Sequence, residues 1–157
     1  MTLLDECDDE LNRIETIING IGATSKIVPF LNKYAIVRAC GTIEVAYKSL
    51  VADFCDWRSK TQLKTYVTKK VRESSKNPSY SAICGLLKDF DDNWNITFRT
   101  QIDAHPHKSR IITSVDSLVG ARNEFAHGGN PSSTVSDVKG YFADSRILMD
   151  ILDGIVV

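Results

Sequence analysis

Apolar residues return at steps of three and four along almost the whole chain, and no stretch alternates apolar with polar as a half-buried strand would. That period restricts the fold to helices, which must bury their apolar stripes against one another. In the first segment Leu4, Cys7, Leu11, Ile14, Ile18 and Ile21 form the stripe. Gly20 and Gly22 are expected to end it, and Pro29 to mark the connection. A longer helix is expected from about Leu31 to Trp57, with Val37, Cys40, Glu44, Tyr47, Val51 and Phe54 on one face and Glu44 as its one charged member.

A basic segment follows, expected to be helical to about Ser74, with Leu63, Tyr66, Val67 and Val71 as its apolar side. Ser74 to Pro78 is a polar break. Ile83, Leu86, Leu87 and Phe90 belong to a shorter helix, and Asp91 to Pro106 reads as a loop with a short helix near Trp94. Ile111, Val115, Leu118, Val119, Arg122, Phe125 and Ala126 then make a stripe that stops at Gly128-Gly129. After the turn Asn130-Pro131-Ser132-Ser133, Thr134 and Asp137 have the spacing of a capping box. The helix it opens would place Val138, Tyr141, Phe142, Leu148, Ile151, Leu152 and Ile155 in the core. The simplest arrangement is an all-α antiparallel bundle of about five or six helices, forming one domain over residues 1–157.

Composition excludes several function classes. A net charge of −1 gives no global field that would drive the molecule onto nucleic acid, so any polyanion must meet a local patch. One exists: Arg58, Lys60, Lys64, Lys69, Lys70, Arg72 and Lys76 face only Glu73 within their stretch, while Asp5, Glu6, Asp8, Asp9 and Glu10 crowd the N-terminus. Cys7, Cys40, Cys55 and Cys84 form no CxxC pair; Cys7 and Cys40 sit inside apolar stripes, so reduced, buried thiols are expected. No run of residues approaches membrane-spanning length, the N-terminus is acidic where a signal peptide is basic, and a cytoplasmic location is expected. His105-Pro106-His107 lacks the carboxylates or thiols that would complete a metal site, and no phosphate-cradling glycine loop is present, so no metal and no cofactor is expected. Trp57 and Tyr66 lie near the basic residues and could stack bases, but core or half-buried positions are expected for both.

Chemistry concentrates at one helix end. At about 100° per residue, Arg122 falls in the middle of the arc set by Ile111, Val115, Leu118 and Ala126. A guanidinium there needs an anion. Within the chain Glu44 is the best partner, and a second subunit or a substrate phosphate are the alternatives. His127, five residues on, lies roughly 140° round the helix beside Asp116 and Asn123, at a C-terminal end whose partial negative charge suits a cation. A fixed cation and an acid–base group are what metal-free RNA cleavage requires. The ribose 2′-OH attacks the adjacent phosphate, one group moves protons, and another stabilises charge on the phosphoryl oxygens. A single imidazole cannot readily be base and acid in one step. Two copies across a two-fold axis could divide those roles.

Arg122-Asn123-Glu124-Phe125-Ala126-His127-Gly128 resembles the RN-x-x-A-H-G form of the HEPN superfamily signature. Ile36-Val37-Arg38-Ala39-Cys40-Gly41-Thr42-Ile43-Glu44 is similar to the early helix of the RiboL-PSP-HEPN branch, including its acidic position. The likeness covers most of the chain from about residue 31. It implies an HEPN-like bundle, homodimerisation through the motif helices, and metal-independent endoribonuclease activity in a toxin–antitoxin, abortive-infection or other defence system. It makes Arg122 and His127 the catalytic pair, with Asn123 and Glu44 in support. Lys64, Lys69, Lys70 and Arg72 are then the residues to hold an RNA substrate, and an antitoxin protein is a further partner. Some family toxins carry a tyrosine, modified by the antitoxin, two residues after the motif histidine; Gly129 stands there in this chain. Other members are inactive helical modules that bind a protein or nucleotide, which is the alternative for this one.

Overall fold

The computed structural model describes residues 2–57 and 59–156 and is all-helical. Among the described residues there are seven α-helices: α1 (Leu3–Ile21), α2 (Val28–Asp56), α3 (Thr61–Val67), α4 (Tyr80–Phe90), α5 (Asp92–Ala104), α6 (Lys108–Ala126) and α7 (Val135–Asp153). A π-helical turn, Thr68–Arg72, continues α3. The count exceeds the expected five or six because Asp91 to Pro106, expected to be mostly loop, contains a full helix. Asp91 caps α5 by accepting from the Asn93 amide at 2.7 Å, and Phe98 and Ile102, four apart, are fully buried. Polar residues around that short stripe hide it in the sequence.

The 29-residue α2 is the axis of the fold and runs for about 43 Å. It packs against α1, α6, α7 and the α3 segment. Contact on so many sides explains why its burial departs from the expected single stripe. Cys40, Tyr47 and Val51 are buried as expected, but so are Ile36, Ala39 and Ile43, while Val37 and Phe54 are exposed. Pro29 lies in the first turn of α2, where a missing N–H costs nothing, so the helix starts at Val28 and not at Leu31. Ile21 is likewise exposed at the end of α1, and Gly22 stops that helix with φ +84°.

The terminal helices close over α2. A capping box at Thr2 and Asp5 opens α1. The one foreseen at Thr134 opens α7, with Asp137 Oδ2 accepting from the Thr134 amide at 2.8 Å. Val138, Phe142, Leu148, Leu152 and Ile155 enter the core, with Tyr141 and Ile151 half-buried at its edge. Polar ties fix the angles between elements. Asn32 Oδ1 accepts from the Val135 amide at 3.0 Å, Ser114 donates to the buried Asp144 at 2.8 Å, and Arg146 donates to Asp5 at 2.7 Å. Cys7 and Cys40 are buried thiols; burial pushes Cys40 up to about 12. No helix among the described residues is long and apolar enough to cross a membrane.

The Asp5 carboxyl is held at about 2, from an ordinary 3.8, by hydrogen bonds from Thr2 first and Arg146 second. A lowered folded value favours the fold fully above pH 3.8, and that advantage disappears as pH falls toward 2. Wild type should therefore melt above Asp5→Asn at pH 6, with the gap in midpoint narrowing in thermal scans stepped down to pH 2.

Candidate functional site

The site is assembled on the C-terminal half of α6. Its upstream residues Ile111, Val115, Leu118 and Val119 are buried, which sets the helix against the core and carries Arg122 to the core's edge. Phe125 and Ala126, expected in the same stripe, are exposed, and Phe125 lies instead beside Phe30, Tyr34 and Val37 on the outer face of α2. Arg122 is half-buried. Its Nη1 donates to Asn123 Oδ1 at 3.2 Å, and that oxygen also accepts from Asn77 Nδ2 at 2.8 Å.

The expected pairing of Arg122 with Glu44 is not formed. Glu44 is taken by Lys48, one turn along α2, whose ammonium is almost fully buried. Among the described residues no carboxylate lies within ion-pair distance of Arg122. Both groups still act on Cys40: burial is the largest cause of its raised pKa, with the Arg122 cation opposing the rise and Glu44 adding to it. A half-buried guanidinium keeps part of its hydration, so it can stand without a protein carboxylate and remain open to an outside anion.

A strap of chain, residues 73–79, runs between α2 and α6 and is fixed at three points, with a fourth at the first residue of α4. Lys48 donates to the Ser74 carbonyl, and the Tyr47 hydroxyl donates to the Lys76 carbonyl at 3.1 Å. Asn77 reaches Asn123, and Asp116 Oδ1 accepts from the Tyr80 amide at 3.1 Å. Reading the sequence as a polar break missed these roles. The one available signal was Lys48, four residues after Glu44 on the same helix.

His127 is the C-cap of α6, and its side chain is exposed, with no hydrogen bond or ion pair among the described residues. A Schellman closure holds its backbone: the Gly129 amide donates to the Glu124 carbonyl at 2.8 Å and the Gly128 amide to Phe125 at 3.0 Å. Gly128 has φ +83°, and a Cβ on Gly129 would stand 2.8 Å from the Glu124 carbonyl oxygen. Asp116 and Asn123, expected beside His127, are engaged with Tyr80, Asn77 and Arg122.

The basic surface is partly as expected. Lys64, Lys69 and Lys70 are exposed and form no ion pair among the described residues. Arg72 differs, being clamped to Asp53 and to Asp56 at 2.9 Å, so its charge is spent inside the fold. Arg58, counted with the basic stretch, lies outside the described residues. His105 Nδ1 accepts from the His107 amide at 3.1 Å, which closes a turn. No group of three His, Cys, Asp or Glu among the described residues is placed to hold a metal ion.

The family model described as RiboL-PSP-HEPN matches residues 3–157. Neither the curated proteins nor the solved structures contain a match to the chain.

Two stability experiments follow from this geometry. In a double-mutant cycle Glu44 should couple to Lys48 and not to Arg122. Glu44→Ala, which orphans the buried ammonium, should cost about 3 kcal/mol in denaturant unfolding, and Arg122→Ala should cost well under half of that. Gly129→Ala should cost about 1–3 kcal/mol through the contact with Glu124. Gly120→Ala, inside α6 where a Cβ meets open space, should match wild type or melt slightly higher.

Proposed function

We propose, from the premise that this chain belongs to the RiboL-PSP-HEPN family, that it is a metal-independent endoribonuclease serving as a toxin or defence effector. One observation carries the reading. Among the described residues, a half-buried arginine without a carboxylate partner and an exposed, unbonded histidine stand five residues apart at the end of one helix. The ribose 2′-OH attacks the neighbouring phosphorus, and its proton passes to an imidazole. The 5′-oxygen leaves with a proton delivered by an imidazolium, so the products are a 2′,3′-cyclic phosphate and a 5′-hydroxyl. Arg122 stabilises the charge that builds on the non-bridging oxygens, and Asn123, held by Asn77, orients it.

Because one imidazole does not fill both proton roles, the reading includes a homodimer that brings two His127 side chains to one phosphate. Support comes from an apolar face beside the motif. Phe30, Tyr34, Val37 and Phe125 are exposed together, and Lys33 lies over the Phe125 ring at 5.5 Å. Lys64, Lys69 and Lys70 hold the RNA backbone, and Arg72 leaves that set because of its clamp. A partner antitoxin would restrain the activity in the cell. Glu44 enters as support for Lys48 and the strap. The second reading is a non-catalytic module binding a protein or nucleotide, and the bond from Arg122 to Asn123 is the observation in its favour.

Incubation with mixed-sequence RNA and a DNA control in excess chelator separates the two. Wild type should cut RNA alone and leave cyclic phosphate ends, and His127→Ala should lose about 10²–10⁴ of the rate while folding normally. A requirement for added metal would sink the mechanism. An inert, folded, dimeric wild type would favour the binding module.

A further inference from the structure

The α3 segment is held to the fold by few buried residues. Between Thr61 and Arg72 only Val67 and Val71, one turn apart, enter the core, whereas Leu63 and Tyr66, expected on the apolar side, are 56% and 62% exposed. Trp57, just before the segment, is 70% exposed, against the expectation of a core or half-buried ring. A helix this short has little stability of its own. The Arg72 clamp to Asp53 and Asp56 fastens it to α2. The π turn then fits an additional residue into one turn, so that Lys69 and Lys70 both face solvent while Val71 returns to the core.

Two kinds of group therefore share this surface. Lys60, Lys64, Lys69 and Lys70 are exposed, and none has a carboxylate within ion-pair distance among the described residues. No acidic residue occurs from 60 to 72. Beside the lysines stand large aromatic faces and a groove of about 510 Å³ between α3 and α4, lined by Leu63, Tyr66, Leu86 and Phe90. Unpaired lysines select a polyanion. Exposed aromatic rings select one whose bases are free to stack, since the bases of a duplex are already stacked on one another. A protein partner without an acidic face would use the groove but leave four like charges unmatched. The surface also lies near the motif: from Lys70 to Asn77, which bonds Asn123, the chain spans at most about 25 Å.

We propose that this surface is a binding site for single-stranded RNA, with unpaired bases stacked on Trp57 and Tyr66 and phosphates along Lys60, Lys64, Lys69 and Lys70. The identification of the polyanion as RNA rests on the ribonuclease reading, and it narrows the substrate class of that enzyme to unpaired strands.

Binding is measured apart from cleavage, with the His127→Ala protein and a labelled 12-nucleotide oligouridine followed by fluorescence anisotropy. Tyr66→Ala and Trp57→Ala should each weaken binding about 5- to 150-fold. Tyr66→Phe and Trp57→Phe should restore most of it, and a 12-base-pair RNA duplex should bind less tightly than the single strand. An abasic strand of equal charge should bind all five proteins alike. Thermal midpoints equal to that of the His127→Ala parent would show that the exposed substitutions leave the fold intact. Alanine variants that bind oligouridine like the parent, or a duplex that binds as tightly as the single strand, would overturn the proposal. So would loss of self-association in the alanine variants at unchanged RNA affinity, since a second copy would then own the face. Intact stacking-dependent binding without cleavage in the wild type would count against the ribonuclease alone.

Discussion

A buried ammonium has to be matched, and in this fold the match to Lys48 organises the site. Lys48 lies on the central helix at a depth where an unpaired charge would cost several kcal/mol. Its requirement is met from two directions, by Glu44 one turn back and by the Ser74 carbonyl of the strap. Once Ser74 is fixed there, Tyr47 can hold Lys76, and the chain arrives at α6 with Asn77 facing Asn123. The orientation of Arg122 is thus set through a relay that begins at a residue with no part in the chemistry.

Pairing Glu44 with Lys48 also alters what the bundle demands of Arg122. If the arginine were the only counter-charge to Glu44, the two would stabilise each other and neither would be free for a substrate. With Glu44 already satisfied, the guanidinium is positioned by neutral amides. Hydrogen bonds to neutral oxygens fix direction while leaving net charge uncancelled. That combination is what the proposed meeting of Arg122 with a phosphate would require.

The helical period made most of the fold legible, because burial follows period wherever a helix packs on one side. It was clear for α1, where Cys7, Leu11, Ile14 and Ile18 are all buried, and for α7 with its capping box. It was misleading for α2, whose neighbours on several sides erase any single stripe, and for α5, where only Phe98 and Ile102 are buried in a polar sequence. Around α3 the period pointed the wrong way, since Leu63 and Tyr66 keep helical spacing with Val67 yet face water. The placing of Arg122 and His127 at one helix end was legible because one segment contains both. Lys48, Tyr47 and Asn77 were not, because their roles arise from contacts 26 to 46 residues distant in sequence.

The glycine-closed end of α6 fixes the backbone of His127 through three consecutive amide hydrogen bonds, from His127, Gly128 and Gly129, and leaves its imidazole exposed. Ordering a residue of a loose loop would sacrifice about 1–2 kcal/mol of backbone freedom before any side chain was placed. For His127 that loss is already absorbed in folding. In the proposed reaction, what would remain to be ordered at a phosphate is two side-chain torsions, about 0.5–1.5 kcal/mol. The imidazole is a free rotor on a rigid mount, so the search for a productive pose is confined to the arc those two torsions sweep.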